Sequence, residues 1–510
     1  MSLAIIHTRA SIGIQAPSVS VEVHISNGMP MFTMVGLAEI TVKEAKDRVR
    51  SALINSGFTF PPKKITVNLA PADLPKEGGR FDLPIALAIL AASEQIPETK
   101  LSQHEFLGEL ALSGEIKGIN GAIPAALSAF KENRTLILSV DNSAELSLVK
   151  EGNSLIANNL LDVCNYLADA EESGLSKPVA IEYVDDFISS LPDLKDIIGQ
   201  EQAKRALEIS AAGGHNLLLL GPPGTGKTML AMRLNALLPP LNNQEALESA
   251  AISSLVHNPQ NASNWRKRPF RAPHHSASMA ALVGGGSIPR PGEISLAHNG
   301  VLFLDELPEF ERKALDALRE PLESGEIVIS RANAKVCFPA RVQLIAAMNP
   351  SPTGHYQGIQ SRSNPQQVMR YLNRLSGPFL DRFDLSIEVP LLPQGILSQR
   401  REEGEPSQSI RHRVLKAREK QLQRSNKINA QLSSKEVEEI CILASADALF
   451  LEQALVKLGL SVRGWHRILK VSRTIADLSG SESIKKEHLA EALSYRSMDR
   501  LLLQLYKSIG

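Results

Sequence analysis

Gly221-Pro222-Pro223-Gly224-Thr225-Gly226-Lys227-Thr228 places a lysine and a hydroxyl directly behind a glycine-rich loop, in G-x-x-x-x-G-K-T spacing. Glycines let such a loop curl until several N–H groups face the oxygens of a phosphate. A helix starting immediately behind the loop adds the positive end of its dipole. Lys227 would reach the β- and γ-phosphates of ATP, and the Thr228 hydroxyl would hold Mg²⁺. The context fits: apolar Leu217–Leu220 reads as a buried strand, and Met229-Leu230-Ala231-Met232 reads as the start of a helix.

Further polar groups follow at the ends of further apolar runs. Val301-Leu302-Phe303-Leu304 ends in Asp305-Glu306. A buried strand ending in acids puts them at the carboxyl edge of a sheet, where α/β proteins bind ligands. Asp305 would bind Mg²⁺ through its water shell, and Glu306 would polarise an attacking water. The bland alternative is a pair of acids capping the next helix. The strand Val342–Met348 ends at Asn349-Pro350, where Asn349 would position water near the γ-phosphate or simply start a turn. Arg382, between Asp381 and Asp384, is either in a surface salt bridge of little worth or an arginine finger completing a neighbouring subunit's site. Ser461-Val462-Arg463-Gly464 opens a helix with Arg463, Arg467 and Lys470 on one face. That face is either solvated or lends Arg463 to the phosphates.

These residues need a parallel sheet with helices behind it. An ATPase core over 191–395 supplies one. Before it, residues 1–170 read as an α/β domain: Val21–Ile25 and Lys64–Leu69 alternate like half-buried strands, Leu83–Ala92 is a core helix, and Leu136–Leu138 is a strand. Residues 171–190, with Gly174 and Pro178, read as a linker. Gly325–Phe338 reads as a hairpin whose tip carries Arg331 and Lys335, either a solvated turn or a grip on a phosphate backbone. Leu282–Ile288 is a candidate insertion loop around Gly284-Gly285-Gly286. Residues 396–510 turn helical, with helices expected over 411–422, 435–443, 446–458, 463–478 and 484–495, the last capped by Ser483.

In this order the phosphate loop, Asp305-Glu306, Asn349, Arg382 and Arg463 resemble an AAA+ ATPase, and Asp196-Ile197-Ile198-Gly199-Gln200 is similar to the AAA+ segment that packs on adenine. Arg271-Ala272-Pro273-His274-His275, Gly284-Gly285-Gly286 and Pro291–His298 resemble the magnesium-chelatase-like branch, and within it the bacterial YifB/ComM family, over nearly the whole chain. Pro75-Lys76-Glu77-Gly78 and Leu112–Ile116 with Gly118–Gly121 resemble the proteolytic domain of Lon.

The resemblance implies an N-terminal Lon-protease-like α+β domain, an AAA+ α/β domain and a C-terminal all-helical lid that closes over the nucleotide and contributes Arg463. It implies an ATP- and Mg²⁺-dependent ring-forming helicase, a cytoplasmic hexamer acting on single-stranded or branched DNA. Its family role would be branch migration during recombination in natural transformation. No serine follows Gly78 before Ser93 and no lysine follows Gly121 before Lys131, so peptidase activity is not expected. The cysteine clusters frequent in YifB/ComM relatives are missing after Asn349, so no structural zinc is expected. Neighbouring His274 and His275 would rarely aim at one ion, and a role at a subunit interface is expected instead.

The bulk of the chain sets limits. Its 510 residues suffice for two to four domains. Lys+Arg and Asp+Glu both number 55, so no global field draws nucleic acid and any DNA contact must be local. Aromatic residues are only 4%, which argues against base stacking on aromatic platforms. Cys164, Cys337 and Cys441 are far apart, which fits a reduced compartment. No signal peptide and no membrane span is read. Two rivals remain: a chelatase-like motor that remodels a protein partner, and a Lon-type protease.

Overall fold

The computed structural model describes residues 2–36, 44–171, 173–179, 191–256, 264–286, 289–331, 334–354, 363–393, 395 and 404–509. Most of the expected linker and the tip of the Arg331/Lys335 hairpin lie outside them.

The N-terminal part is built on β1 (Ser2–Arg9), β2 (Ser18–Ser26), β3 (Met31–Val35), β4 (Lys64–Ala70), β5 (His104–Phe106), β6 (Thr135–Ser139) and β7 (Ser154–Ala157). They form one mixed seven-stranded sheet in the order β3-β4-β2-β1-β5-β6-β7. Along β2, Val19, Val21, Val23 and Ile25 are buried and their neighbours half-exposed, as a one-sided sheet requires. Helix α1 (Asp82–Ala92) covers that apolar face. All of its residues are buried, so it is apolar all round rather than amphipathic. Helix α2 (Ala122–Lys131) packs on the neighbouring part of the sheet.

The second part is a doubly wound unit. It comprises α3 (Glu201–Gly213), β8 (Leu217–Leu220), α4 (Lys227–Met232), α5 (Asn243–Ser253), β9 (Phe270–Arg271) and a small hairpin of β10 (Gly284–Gly285) and β11 (Arg290–Pro291). It continues with β12 (Val301–Leu304), α6 (Arg319–Ser324), a second hairpin of β13 (Glu326–Arg331) and β14 (Ala334–Pro339), then β15 (Gln343–Met348) and β16 (Leu385–Glu388). The sheet runs β9-β12-β15-β8-β16, and every pairing is parallel. Strands buried on both faces read as continuous apolar runs, as β8, β12 and β15 do.

The N-terminal part and this core share a hydrophobic cluster that joins Ala122 and Ile123 to Leu241, Ala250 and Trp265, and the Gly121 N–H donates to the Ser254 carbonyl at 2.7 Å.

The C-terminal part holds α7 (Ser407–Ser425), α8 (Ser434–Ile440), α9 (Ser445–Leu458), α10 (Val462–Leu478), α11 (Lys486–Ser494) and α12 (Ser497–Ile509). Helix α7 lies along α3: Arg413 pairs with Glu208 at 2.5 Å, and Gln421 donates to the Ala212 carbonyl at 3.2 Å. Two expectations change. Ser483 does not cap α11. Lys485 does, its N–H donating to His488 Nδ1 at 3.0 Å, while the Ser483 carbonyl accepts from Ser481 in a preceding turn. Helix α12, not expected from the sequence, buries Met498, Leu501 and Leu505 against the core.

Candidate nucleotide site

Because β12, β15 and β8 are neighbours in parallel register, their carboxyl ends deliver Asp305, Asn349 and the phosphate loop to one edge. Gly226 adopts φ +87, a conformation that strains any residue with a Cβ, and thereby starts α4 at Lys227 with the loop wrapped in front of it. A side chain at Gly221 would run into the Val389 carbonyl, so the loop's first residue is fixed by close backbone approach.

Lys227 is buried within the loop, its Nζ donating to the carbonyls of Gly221 at 2.7 Å and Pro222 at 2.8 Å and to Asn349 Oδ1 at 3.2 Å. Burial lowers the ammonium from its ordinary pKa, while Asp305 works in the opposite direction. The Thr225 hydroxyl closes the loop on the Pro222 carbonyl at 3.0 Å, leaving Pro223 and Gly224 at its outer surface. Thr228 Oγ1 donates to Asp305 Oδ2 at 2.7 Å. Two oxygen donors converging beside a phosphate cradle are a donor set that fits Mg²⁺. The Asp196–Gln200 segment lies alongside, with Gln200 Nε2 donating to the Pro390 carbonyl at 2.7 Å.

Glu306 follows in the left-handed region, at φ +52. Its own N–H donates to Asp305 Oδ1 at 2.9 Å, which ties the two acids together and turns the glutamate away from the strand. Its carboxylate Oε2 lies 3.0 Å from His275 Nδ1. His275 also packs edge-on against Phe310 and beside His274. This contact was not legible in advance. The two-residue strand β9, which carries the chain toward His275, is too short to announce itself, and adjacent histidines in a sequence point to an interface rather than to a particular partner. Just upstream, Arg271 forms a two-point bridge to Glu293 at 2.6 and 2.7 Å, which ties β9 to the residues after β11.

Arg382 lies at the other edge. Its carbonyl accepts from Asn216 Nδ2 at 2.8 Å, and Asn216 immediately precedes β8. The four residues of β8 therefore separate Arg382 from the phosphate loop of its own chain, a rise of roughly 13 Å. Its guanidinium pairs with Glu323 at 2.6 Å, and among the described residues Arg382 Nε is buried without a partner.

Arg463 is exposed in the first turn of α10, one turn before the residue that ties this helix to the Arg382 segment. One turn further along α10, Arg467 donates to Asp381 Oδ1 at 2.8 Å and to the Phe383 carbonyl at 3.3 Å. Thr474, two turns on, lies 2.8 Å from His215 Nε2. These anchors hold the helical part at the amino edge of the sheet. The bonds that tie α10 to the core thus lie beside Arg382, at the end of β8 opposite the phosphate loop, whereas Arg473 and Asp477 bond within the helical part itself. Lys470, on the same face, donates to the Ala430 carbonyl at 3.0 Å.

The hairpin β13–β14 is a separate two-stranded unit. Lys335 is exposed, and the side chain of Arg331 lies outside the described residues. In the N-terminal part, Arg80 stands just beyond Gly78-Gly79, buried, with Nη2 donating to the Asn120 carbonyl at 2.6 Å. Among the described residues no helix is long and apolar enough to cross a membrane.

Three family models match: "Magnesium chelatase, subunit ChlI" over residues 193–397, "Subunit ChlI of Mg-chelatase" over 21–142, and "Magnesium chelatase, subunit ChlI C-terminal" over 404–496. The chain is 65% identical over 506 residues to the competence protein ComM of Haemophilus influenzae, covering 99% of each. It is 61% identical over 507 residues to the protein YifB of Escherichia coli, again covering 99% of each. The 38 kDa subunit of magnesium chelatase from Rhodobacter capsulatus is 29% identical over 341 residues, 59% of this chain and 86% of that one. With its mixed α/β core, parallel sheet and C-terminal helices, the chain belongs to the ComM/YifB family of magnesium-chelatase-like AAA+ proteins.

Proposed function

We propose that this chain is an ATP-driven motor that assembles into a ring, a hexamer, and moves DNA through it, promoting branch migration in recombination during natural transformation. One observation carries the reading: Lys227, Thr228, Asp305 and Asn349 converge at one sheet edge while Arg382 lies at the other. Such an arrangement is completed when a neighbouring copy supplies the arginine. The name competence protein ComM, borne by the relative at 65% identity, supports the DNA side of the reading.

In this reading Lys227 leaves its carbonyl partners for the phosphates. Thr228 and Asp305 hold Mg²⁺, which when bound neutralises charge on the transferring group. Glu306 accepts a proton from the attacking water, and Asn349 orients that water. Arg382 and Arg463 reach the neighbour's phosphates together. Release of Arg382 from Glu323 costs little, because Glu323 is 70% exposed and such pairs contribute at most about 1 kcal/mol. Arg331 and Lys335 hold the DNA backbone.

The test is the ATPase rate alone, with single-stranded DNA and with branched DNA, taking Glu306→Gln as the blank. Removing a general base typically costs about 10²–10⁴-fold, so the blank should bind ATP without turnover. DNA should stimulate the parent protein, and Arg331→Ala/Lys335→Ala should abolish that response. A rate indifferent to DNA would sink the reading. The three magnesium-chelatase descriptions favour one other reading, a motor that remodels a protein partner. Stimulation by a protein and not by DNA would select it.

A further inference from the structure

A two-stranded hairpin standing alone is marginal in water, and among the described residues β13–β14 pairs with no other strand. Its apolar face, Ile327, Ile329, Val336 and Phe338, is nevertheless buried. The cover comes from two sides. On one side is the small β10–β11 hairpin: Leu282 belongs to the same cluster, and a side chain at Gly284 would stand 3.1 Å from Ile329 Cδ1. On the other is the N-terminal domain, through the turn that joins β1 to β2. There Ile12 and Gln15 exchange backbone hydrogen bonds at 2.9 and 3.0 Å, and Ile12 and Ile14 pack onto the hairpin's cluster.

At the tip of this turn Gly13 has φ +58, which suits the first central position of a tight two-residue turn. A Cβ there would fall inside the envelope of Val336 Cγ1 and stand 3.4 Å from Phe338 Cε1. The backbone of the turn is thus seated directly on the hairpin strand, one residue from exposed Lys335.

We propose that the Ile12–Gln15 turn is the seat of the basic hairpin, so that the N-terminal domain sets the angle at which Lys335 meets a ligand. Gly13 and Ile14 are its positioning residues. The hairpin is sandwiched between the turn and the β10–β11 hairpin, so a displacement of the turn is passed to both. The ligand side of this proposal rests on the DNA-motor reading, but the mechanical side does not.

The test uses the full chain with Gly13→Ala, which adds both the clash and backbone strain, and with the milder Ile14→Ser, which removes half-buried cover. Amide exchange of residues 334–339 is followed by mass spectrometry beside the ATPase rate with and without single-stranded DNA. Both variants should exchange about tenfold faster at the hairpin while amides of β8 and β15 are unchanged. The DNA concentration for half-stimulation should rise, with the DNA-free rate unaltered. Adding Val336→Ala to Gly13→Ala, which removes the clashing methyl, should return part of the response. Faster hairpin exchange in a protein whose parent ignores DNA would uphold the seat and overturn the DNA reading. A DNA-responsive parent whose variants keep parental exchange and half-stimulation would overturn the seat. So would equal loss of free and stimulated rates.

Discussion

Lys227→Ala and Arg382→Ala proteins, each inactive alone, should recover ATP hydrolysis when mixed. Strands β8 and β16 run in parallel register from Leu217↔Leu385 to Leu220↔Glu388. Lys227 follows the carboxyl end of the first, and Arg382 precedes the amino end of the second. One chain therefore does not bring the two together across the sheet, and in the proposed ring a site takes them from two chains. A transition-state arginine contributes about 10³–10⁵-fold, so each variant alone should sit near background. In rings assembled at random from equal amounts, a site works when its loop comes from an Arg382→Ala subunit and its finger from a Lys227→Ala subunit. That combination arises at about a quarter of interfaces, giving about a quarter of the parental rate per site if sites act independently. The assay is steady-state phosphate release, with co-purification of differently tagged variants showing that subunits exchange. If mixed rings form and the rate stays at the average of the two variants, Arg382 does not act across subunits and the reasoning from the sheet edges fails.

His275→Ala should lower kcat no more than about fivefold with little change in the KM for ATP, because Glu306 loses its 3.0 Å contact with His275 Nδ1 in a part-exposed setting, worth at most about 1 kcal/mol. His275→Asn, which keeps a donor, should retain more of the rate, and a faster His275→Ala enzyme would mean that the contact restrains Glu306 rather than aiming it. Glu323→Gln should raise turnover no more than about fivefold, the ceiling for an exposed pair; a fall would show that Glu323 orients Arg382. Burial in the N-terminal domain pushes the Glu145 carboxyl from 4.5 up to about 7, against a weak hydrogen bond from Asn142. The folded state then holds the proton more tightly than the unfolded one, and stability falls as pH rises through that interval. Glu145→Gln should therefore stabilise the domain at pH 8, by at most about 3 kcal/mol, and leave it unchanged near pH 4. Thermal melts at the two pH values check this, and equal shifts at both would refute it.

What could be read in the residues beforehand was whatever a short stretch encodes by itself. The phosphate loop announces itself because strand, glycines, lysine and helix must be contiguous to work. Asp305 and Asn349 were legible because each ends an apolar run, and parallel strands buried on both faces gather such ends at one edge. Helix α1 and strands β2 and β4 followed from burial pattern alone. The placement of the helical part was not legible, because it is decided by pairs far apart in sequence: Arg467 with Asp381, Thr474 with His215, Gln421 with the Ala212 carbonyl. A basic stripe at helical spacing says that a face is polar, not what it meets. Here, through Arg467, it meets a carboxylate and a carbonyl at the amino edge, beside Arg382. The same holds for His275 and for Gly13, whose neighbours Glu306 and Val336 are set by the packing of whole elements. The candidate site residues were therefore visible as local motifs, whereas the residues packed against them came into view only when distant segments were brought together.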